Sequence, residues 1–428
     1  MAQNGRLHLL AGLALVLLLG TGASAEEGPR FPIESITFAG ASAKSAAILL
    51  AESRLREGET YAEADLRDAV ARMDRLPFVL DADFRLEKGS VRGQYVLVVS
   101  VTETLPLFVS FNSLQHWVDT VRVADIQASA PDEAPVIEYA HGIEHGNEDL
   151  GTVGGRWFFG ARGVAHAAVD YSSCGGCPSR FPRVSAGYTR YDVLGSGATV
   201  SVVAQFRSAS FDLPATFTGD TEASLSDRLA YQLTAAVPLF GNEAVRATLY
   251  RQTDPFSYMV KEGLTSVVRV ERLHYDTASL SWLHDTTNDP SFPTRGTSWR
   301  VSVEARDRIQ LRNGSPLRER DRDLSAAAAH YWELTPAQSL FAGAELQTLS
   351  DREFREVRAG AGYAASLWDR DHVLRYGDLR FELRAERVTS DYGSATAYGT
   401  ARAGLALRGR WGVVGMALQY VGWRTRAE

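Results

Sequence analysis

Only two cysteines occur in 428 residues, which excludes a scaffold held by disulfides. Positive charge is not in excess. The 45 lysines and arginines stand against 52 acids for a formal net charge of -7, so no overall field draws the chain to nucleic acid, and none is expected as a partner. Past the N-terminus there is no apolar run of the ~18 residues that a membrane helix needs. Mean hydropathy is only -0.16. A membrane span would therefore have to be built from strands. A nucleophile elbow, a phosphate-binding glycine loop and a zinc-protease helix are also missing. The expectation is a protein that is not an enzyme and uses no cofactor or metal.

What is present begins with an address. Arg6, the uncharged apolar stretch 9–19 and the small residues Ala23-Ser24-Ala25 read as a signal peptide over residues 1–25. Its apolar core is too short to span a bilayer. Export places Cys174 and Cys177 in an oxidising compartment, where the Cys-Gly-Gly-Cys spacing predicts a disulfide pinning a polar loop.

Residues 31–103 carry the pattern strand, helix, helix, strand, strand. Ile33, Ile36 and Phe38 mark the first strand, closed by Gly40. Ser42 is a candidate N-cap for a helix over 42–55 that Gly58 is expected to stop. Leu66, Ala69, Val70 and Met73 form one stripe of a helix over 62–76, with Glu63, Asp65 and Asp68 early and Pro77 after it. Strands over 79–86 and 95–101 follow, and Val96 to Val99, apolar on both faces, marks the latter as central. This segment resembles a POTRA domain, the periplasmic α+β module of BamA-like proteins. The resemblance lies in the opening 33–40, the turn 55–61 with Gly58, Leu76-Pro77-Phe78 and the closing 99–103. It implies a domain at 31–103 that captures polypeptides.

From residue 105 to 428 the period changes to two. Trp299, Val301 and Val303 alternate with Ser298, Arg300, Ser302 and Glu304; Leu379, Phe381, Leu383 and Ala385 alternate with Arg380, Glu382, Arg384 and Glu386. One apolar and one charged face fit a barrel that is apolar outside and wet within, which makes the second set candidate lumen residues. The predicted fold class is thus a small α+β domain followed by an all-β antiparallel transmembrane barrel. Sixteen strands are expected, within a range of fourteen to sixteen, with short turns near 194–197, 240–243, 335–338 and 408–410. Long loops are expected near 208–227, 306–322 and 388–395.

The block Asp285-Thr286-Thr287-Asn288-Asp289, then Pro293-Thr294-Arg295-Gly296, resembles the turn-and-strand motif of the BamA-like superfamily, also called the bacterial surface antigen family. Asp285, Pro293, Arg295 and Gly296 carry it; an ordinary Pro-Gly hairpin has the same composition. The family's Arg-Gly-aromatic motif, on a loop folded into the lumen, has no uninterrupted copy here. Gly360 and Gly362 with Arg375 and Tyr376 are its candidate counterpart. The chain also ends beyond Trp423 rather than on an aromatic residue. His141, Glu144 and His145 near Glu148 and Asp149 have the residue types of a metal site, but as polar rim residues they need no metal.

The resemblance implies a protein of the bacterial outer membrane, with its N-terminal domain in the periplasm, that inserts or translocates polypeptides. Its partners would be the outer-membrane bilayer, unfolded outer-membrane or secreted clients and periplasmic accessory proteins. The strand bearing Leu80, Ala82 and Phe84 would be the client-binding edge. A dedicated two-partner-type secretion transporter and a passive porin or surface protein are the alternatives.

Overall fold

The computed structural model describes residues 29–126, 136–174, 183–207, 223–225, 228–239, 242–262, 265–288, 293–312, 315–335, 337–349, 354–366, 377–390 and 395–427. Two helices and two sheets make up the described chain, and no described helix is long and apolar enough to cross a membrane.

The N-terminal module runs β1 (Arg30–Ala39), α1 (Ala43–Ser53), β2 (Thr60–Ala62), α2 (Glu63–Asp74), β3 (Val79–Lys88) and β4 (Tyr95–Glu103). Its sheet has the order β2-β1-β4-β3, with β1 and β4 parallel. Ser42 caps α1 as expected, accepting the Ser45 N–H at 3.2 Å. Gly58 does not end that helix. Arg54, in the left-handed region at φ 59°, closes it four residues earlier. Gly58, at φ 85°, instead donates its N–H to the Ile33 carbonyl at 2.7 Å and so turns the chain into β2. Ile33, Ile48, Leu49, Leu66, Met73, Leu97 and Val99 are buried in one core between helices and sheet. Burying each of these side chains contributes ~1.5–3 kcal/mol.

The second sheet comprises β5 (Leu107–Ile126), β6 (Val136–Phe158), β7 (Gly163–Cys174), β8 (Arg183–Val193), β9 (Ala198–Arg207), β10 (Ala223–Leu225), β11 (Arg228–Pro238) and β12 (Glu243–Glu262). It continues with β13 (Thr265–Asp285), β14 (Gly296–Arg312), β15 (Ser315–Thr335), β16 (Gln338–Leu349), β17 (Phe354–Ser366), β18 (Gly377–Ser390), β19 (Ala395–Gly409) and β20 (Gly412–Ala427). β10 and β11 lie along the same partner, with Ala223 opposite Tyr258 and Leu229 opposite Thr253, so the short segment continues β11. Sixteen segments therefore make a wall fifteen strands across among the described residues, one fewer than the sixteen full strands expected. Sequence-adjacent strands of the wall pair antiparallel, so an odd number makes the first and last run the same way. β5 and β20 pair in parallel from Val109–Gly412 to Ala124–Ala427 and close the barrel.

The expected loop at 306–322 is absent. β14 and β15 stay paired to Arg312 opposite Ser315. Its charge density, which reads as loop in sequence, is spent on cross-strand ion pairs such as Arg318–Asp307 and Arg308–Glu319.

Residues opposite one another in a ladder share a face. Val237, Val245, Trp282 and Val301 form one such row, and Ala247, Leu280, Val303 and Leu324 another. Val237, Trp282, Val301, Leu280, Val303 and Leu324 of these rows are exposed, whereas the alternate positions carry Ser281, hydrogen-bonded to Ser302 at 2.8 Å, and Thr234 beside Thr248. The barrel is apolar outside and polar within, as the alternation predicts.

Candidate functional site

The chemistry-bearing contacts concentrate where the module meets one end of the barrel. The linker is short and tied. Leu105 N–H donates to the Arg410 carbonyl at 2.6 Å, Arg410 Nε to the Glu103 carbonyl at 3.0 Å, and Val109 N–H to the Trp411 carbonyl at 2.8 Å. Arg156 Nη1 donates to Thr104 Oγ1 at 2.9 Å, and its guanidinium lies 4.9 Å from the Phe108 ring centroid. Phe78 meets Phe158 edge-on at 5.0 Å, and Val164 and Tyr191 join the module's own buried cluster. The hydrophobic core thus continues from module to rim.

The helices make the polar half of the junction. Arg72, in the last turn of α2, sets its guanidinium on the last carbonyls of α1, Ser53 at 2.7 Å and Glu52 at 3.3 Å, where the helix dipole favours a cation. The same side chain donates to Asn242 Oδ1 at 2.9 Å, and Asn242 Nδ2 returns a bond to Asp68 at 2.8 Å. Arg75 donates to the Thr287 carbonyl at 2.5 Å and to Asp285 Oδ1 at 3.2 Å. Thr199 Oγ1 donates to Glu52 at 3.3 Å. Burial pushes the Glu52 carboxyl above its ordinary range, against the lowering effects of Thr199, Arg54 and Arg72, and burial also disfavours the Arg72 cation.

The turn 285–297 is the pad for Arg75. Asp285 also accepts the Thr287 N–H at 2.9 Å, and Asn288 Oδ1 accepts the N–H groups of Thr294 at 3.0 Å and Arg295 at 3.2 Å. Pro293 presents its carbonyl to Ser339 at 3.3 Å, and Arg295 lies 3.8 Å from Glu333. Gly296 sits at φ 107°, where an added Cβ would fall 2.4 Å from the Thr286 carbonyl oxygen. Asp285, Pro293, Arg295 and Gly296 therefore belong to one folded turn, and no local pattern marks its partner Arg75, 210 residues from Asp285.

Between helices and wall lies a cavity of about 660 Å³. Arg54, Arg72, Arg75, Arg246 and Arg300 line it against Glu52, Asp285 and Glu345, which makes it an electropositive vestibule at the barrel mouth.

Other expected positions are spread out. β3 is an edge of its sheet; Leu80 falls in a bulge, while Ala82 and Phe84 turn their side chains onto the core. The Phe84 N–H goes to Asp83 Oδ1 at 2.7 Å rather than into the ladder. Gly360 and Gly362 stand within β17, paired with β16 and β18, not on a loop folded into the lumen. Arg375, Tyr376 and Cys177 lie outside the described residues, as do the side chains of Cys174 and of Arg380, Glu382, Arg384 and Glu386 on β18. His141, Glu144 and His145 are on β6 rather than in a rim loop, with side chains likewise outside.

The fold defines a β-barrel with an apolar outer wall and an α+β module fastened over one mouth. No protein-family model matches the chain and no curated protein does. Among solved structures, the chain is similar to BamA from Haemophilus ducreyi lacking POTRA domains 1-3, at 12% identity over 89% of this chain and 80% of that one, with a TM-score of 0.43. It is also similar to CdiB from Escherichia coli (13% identity, 90% of this chain, 85% of that one, TM-score 0.40). CdiB from Acinetobacter baumannii is a third such structure (8% identity, 87% and 70%, TM-score 0.43).

Proposed function

We propose that this chain is an outer-membrane protein of the BamA-like superfamily, with its module in the periplasm, that helps polypeptides insert into or cross the outer membrane. The observation that carries this reading is a strand edge placed beside a membrane seam. β3 begins at the same rim from which β5 departs, and Thr104, just after β4, bonds both to Phe78 and to Arg156 of the wall. An incoming extended segment would pair with β3, whose outer edge meets no strand among the described residues. It would then be delivered to the β5–β20 seam, where parallel pairing is slightly weaker per residue than antiparallel. The vestibule arginines would favour acidic stretches on the way.

Depletion of the protein followed by outer-membrane and secretome proteomics tests the role. Selective loss of a few barrels or exported proteins, crosslinked to β3, is the expected result. An unchanged proteome with altered solute uptake would replace this reading by a passive channel. Ala82→Pro, which takes an amide from the open edge and leaves the ladder to β4 intact, should lower client crosslinking without unfolding the barrel.

A further inference from the structure

The open edge of β3 is not bare. Thr104 N–H donates to the Phe78 carbonyl at 2.9 Å, and Gly89 N–H to the Gln94 carbonyl at 2.9 Å, so the even-numbered residues of β4 aim their backbone groups at β3 from end to end. Their partners Asp81, Asp83, Arg85 and Glu87 aim back, opposite Thr102, Ser100, Val98 and Val96. Ala82, Phe84 and Leu86 therefore point their N–H and carbonyl groups outward. One of these outward donors, the Phe84 N–H, is held by Asp83 Oδ1 at 2.7 Å.

The side chains divide the other way. Ala82, Phe84 and Leu86 pack on the core, so Asp81, Asp83, Arg85 and Glu87 lie on the face turned away from it. Arg85 is drawn along its own strand and back across β4, with Nε on Glu87 Oε1 at 2.9 Å and Nη1 on Ser100 Oγ at 3.3 Å. Asp83 is exposed and turned onto the backbone of the edge.

An incoming antiparallel strand would meet Asp83 as a non-hydrogen-bonded pair, the geometry in which facing Cα atoms approach to ~4.5 Å and side chains come closest. The carbonyl of that strand needs the Phe84 N–H that the carboxylate holds. A neutral strand displaces this charge-assisted bond and gives the carboxylate nothing in return. A lysine or arginine facing Asp83 takes the carboxylate as it frees the amide.

We propose that β3 selects its partner by charge: Asp83 is a removable cap on the edge, and the strand that displaces it carries a lysine or arginine opposite Asp83. Apolar residues at the alternate positions of that strand extend the row of Ala82, Phe84 and Leu86 on the core face. The inference rests on the reading of β3 as the client-binding edge and names the kind of strand it takes.

The test uses the full-length protein folded in detergent and fluorescein-labelled peptides of about nine residues, within the usual strand range, in which valine alternates with threonine and the central residue is varied. Fluorescence anisotropy reads the affinity. Lysine at the centre should bind roughly fivefold more tightly than threonine, the upper end for one opposite-charge cross-strand pair, and glutamate more weakly than either. Asp83→Asn keeps an acceptor for the Phe84 amide and removes the charge, so the lysine preference should vanish. Asp83→Ala removes cap and charge together. The threonine peptide should then bind at least roughly twofold more tightly than it binds the native protein, the lower end for one hydrogen bond. Heat-modifiable migration and an unchanged protease pattern of the module serve as folding controls.

Equal binding of all peptides by the native protein overturns the inference, as does a lysine preference that survives Asp83→Asn. A threonine peptide that binds Asp83→Ala no better than the native protein overturns the cap. Ala82→Pro separates the two readings. If it weakens every peptide while the central charge makes no difference, the edge still binds strands and only the selection fails. Depletion proteomics reads the client role apart from both.

Discussion

Leu97 in the module and Leu280 in the barrel are the same residue on the same kind of element, yet Leu97 is 0% exposed and Leu280 56%. The module turns Leu49, Leu66 and Leu97 inward and closes a core around them; the barrel turns Leu249, Leu280 and Leu324 outward and keeps Ser281 and Ser302 within. The same residue therefore serves two settings, and what differs is the partner of the apolar face: packed protein in one case and, under the proposed function, hydrocarbon in the other.

That contrast can be broken at several strengths. The largest effect is expected from Leu97→Asp, which buries a charge in the core between helices and sheet and should cost more than ~4 kcal/mol. Limited proteolysis should then digest the module while the barrel keeps its heat-modifiable migration. Leu280→Arg tests the other solvent. It should cost ~2–4 kcal/mol if the residue sits near the bilayer midplane, measured as a fall in the urea midpoint in vesicles, and should leave the module's protease pattern unchanged. Arg75→Ala cuts the tie between the two regions, leaving Asp285 and the Thr287 carbonyl without their cation. A loss of roughly 1–3 kcal/mol in docking is expected, visible as faster hydrogen exchange in both α2 and the 285–297 turn.

The smallest effect concerns pH. Burial holds Glu52 above its ordinary range in the docked state, so docking takes up a proton between the ordinary and the raised value. Its contribution is fully present below the ordinary carboxylate range and is lost as pH rises through the raised value. Hydrogen exchange of α1 should therefore quicken as pH increases through that window, beyond the intrinsic rate, and Glu52→Gln should flatten the difference while still accepting from Thr199.

The helices of the module were legible because a 3.6-residue stripe and a cap repeat within a dozen residues, as at Ser42 and Leu66–Met73. The outward set Trp299, Val301, Val303 was legible for the same reason at period two. β2 was not, since three residues hold no period, and the end of α1 was misplaced because Arg54 adopts a conformation that glycine usually supplies. The β14–β15 hairpin was hidden by its own charge, which marks a loop in isolation and a ladder once the opposite strand is known. The junction was invisible for a different reason. The Arg72–Asn242 and Arg75–Thr287 bonds join residues 170 and 212 positions apart and leave no local pattern on either side.

A ring whose neighbours must all point opposite ways resembles a ring of alternating magnets, and an odd membership frustrates it: one like-directed pair has to exist somewhere. In this barrel the frustration is parked at β5 and β20. No substitution or register slip can relieve it, because it depends on how many strands there are and not on what they are made of. A single extra strand entering there, and only there, would satisfy both neighbours at once.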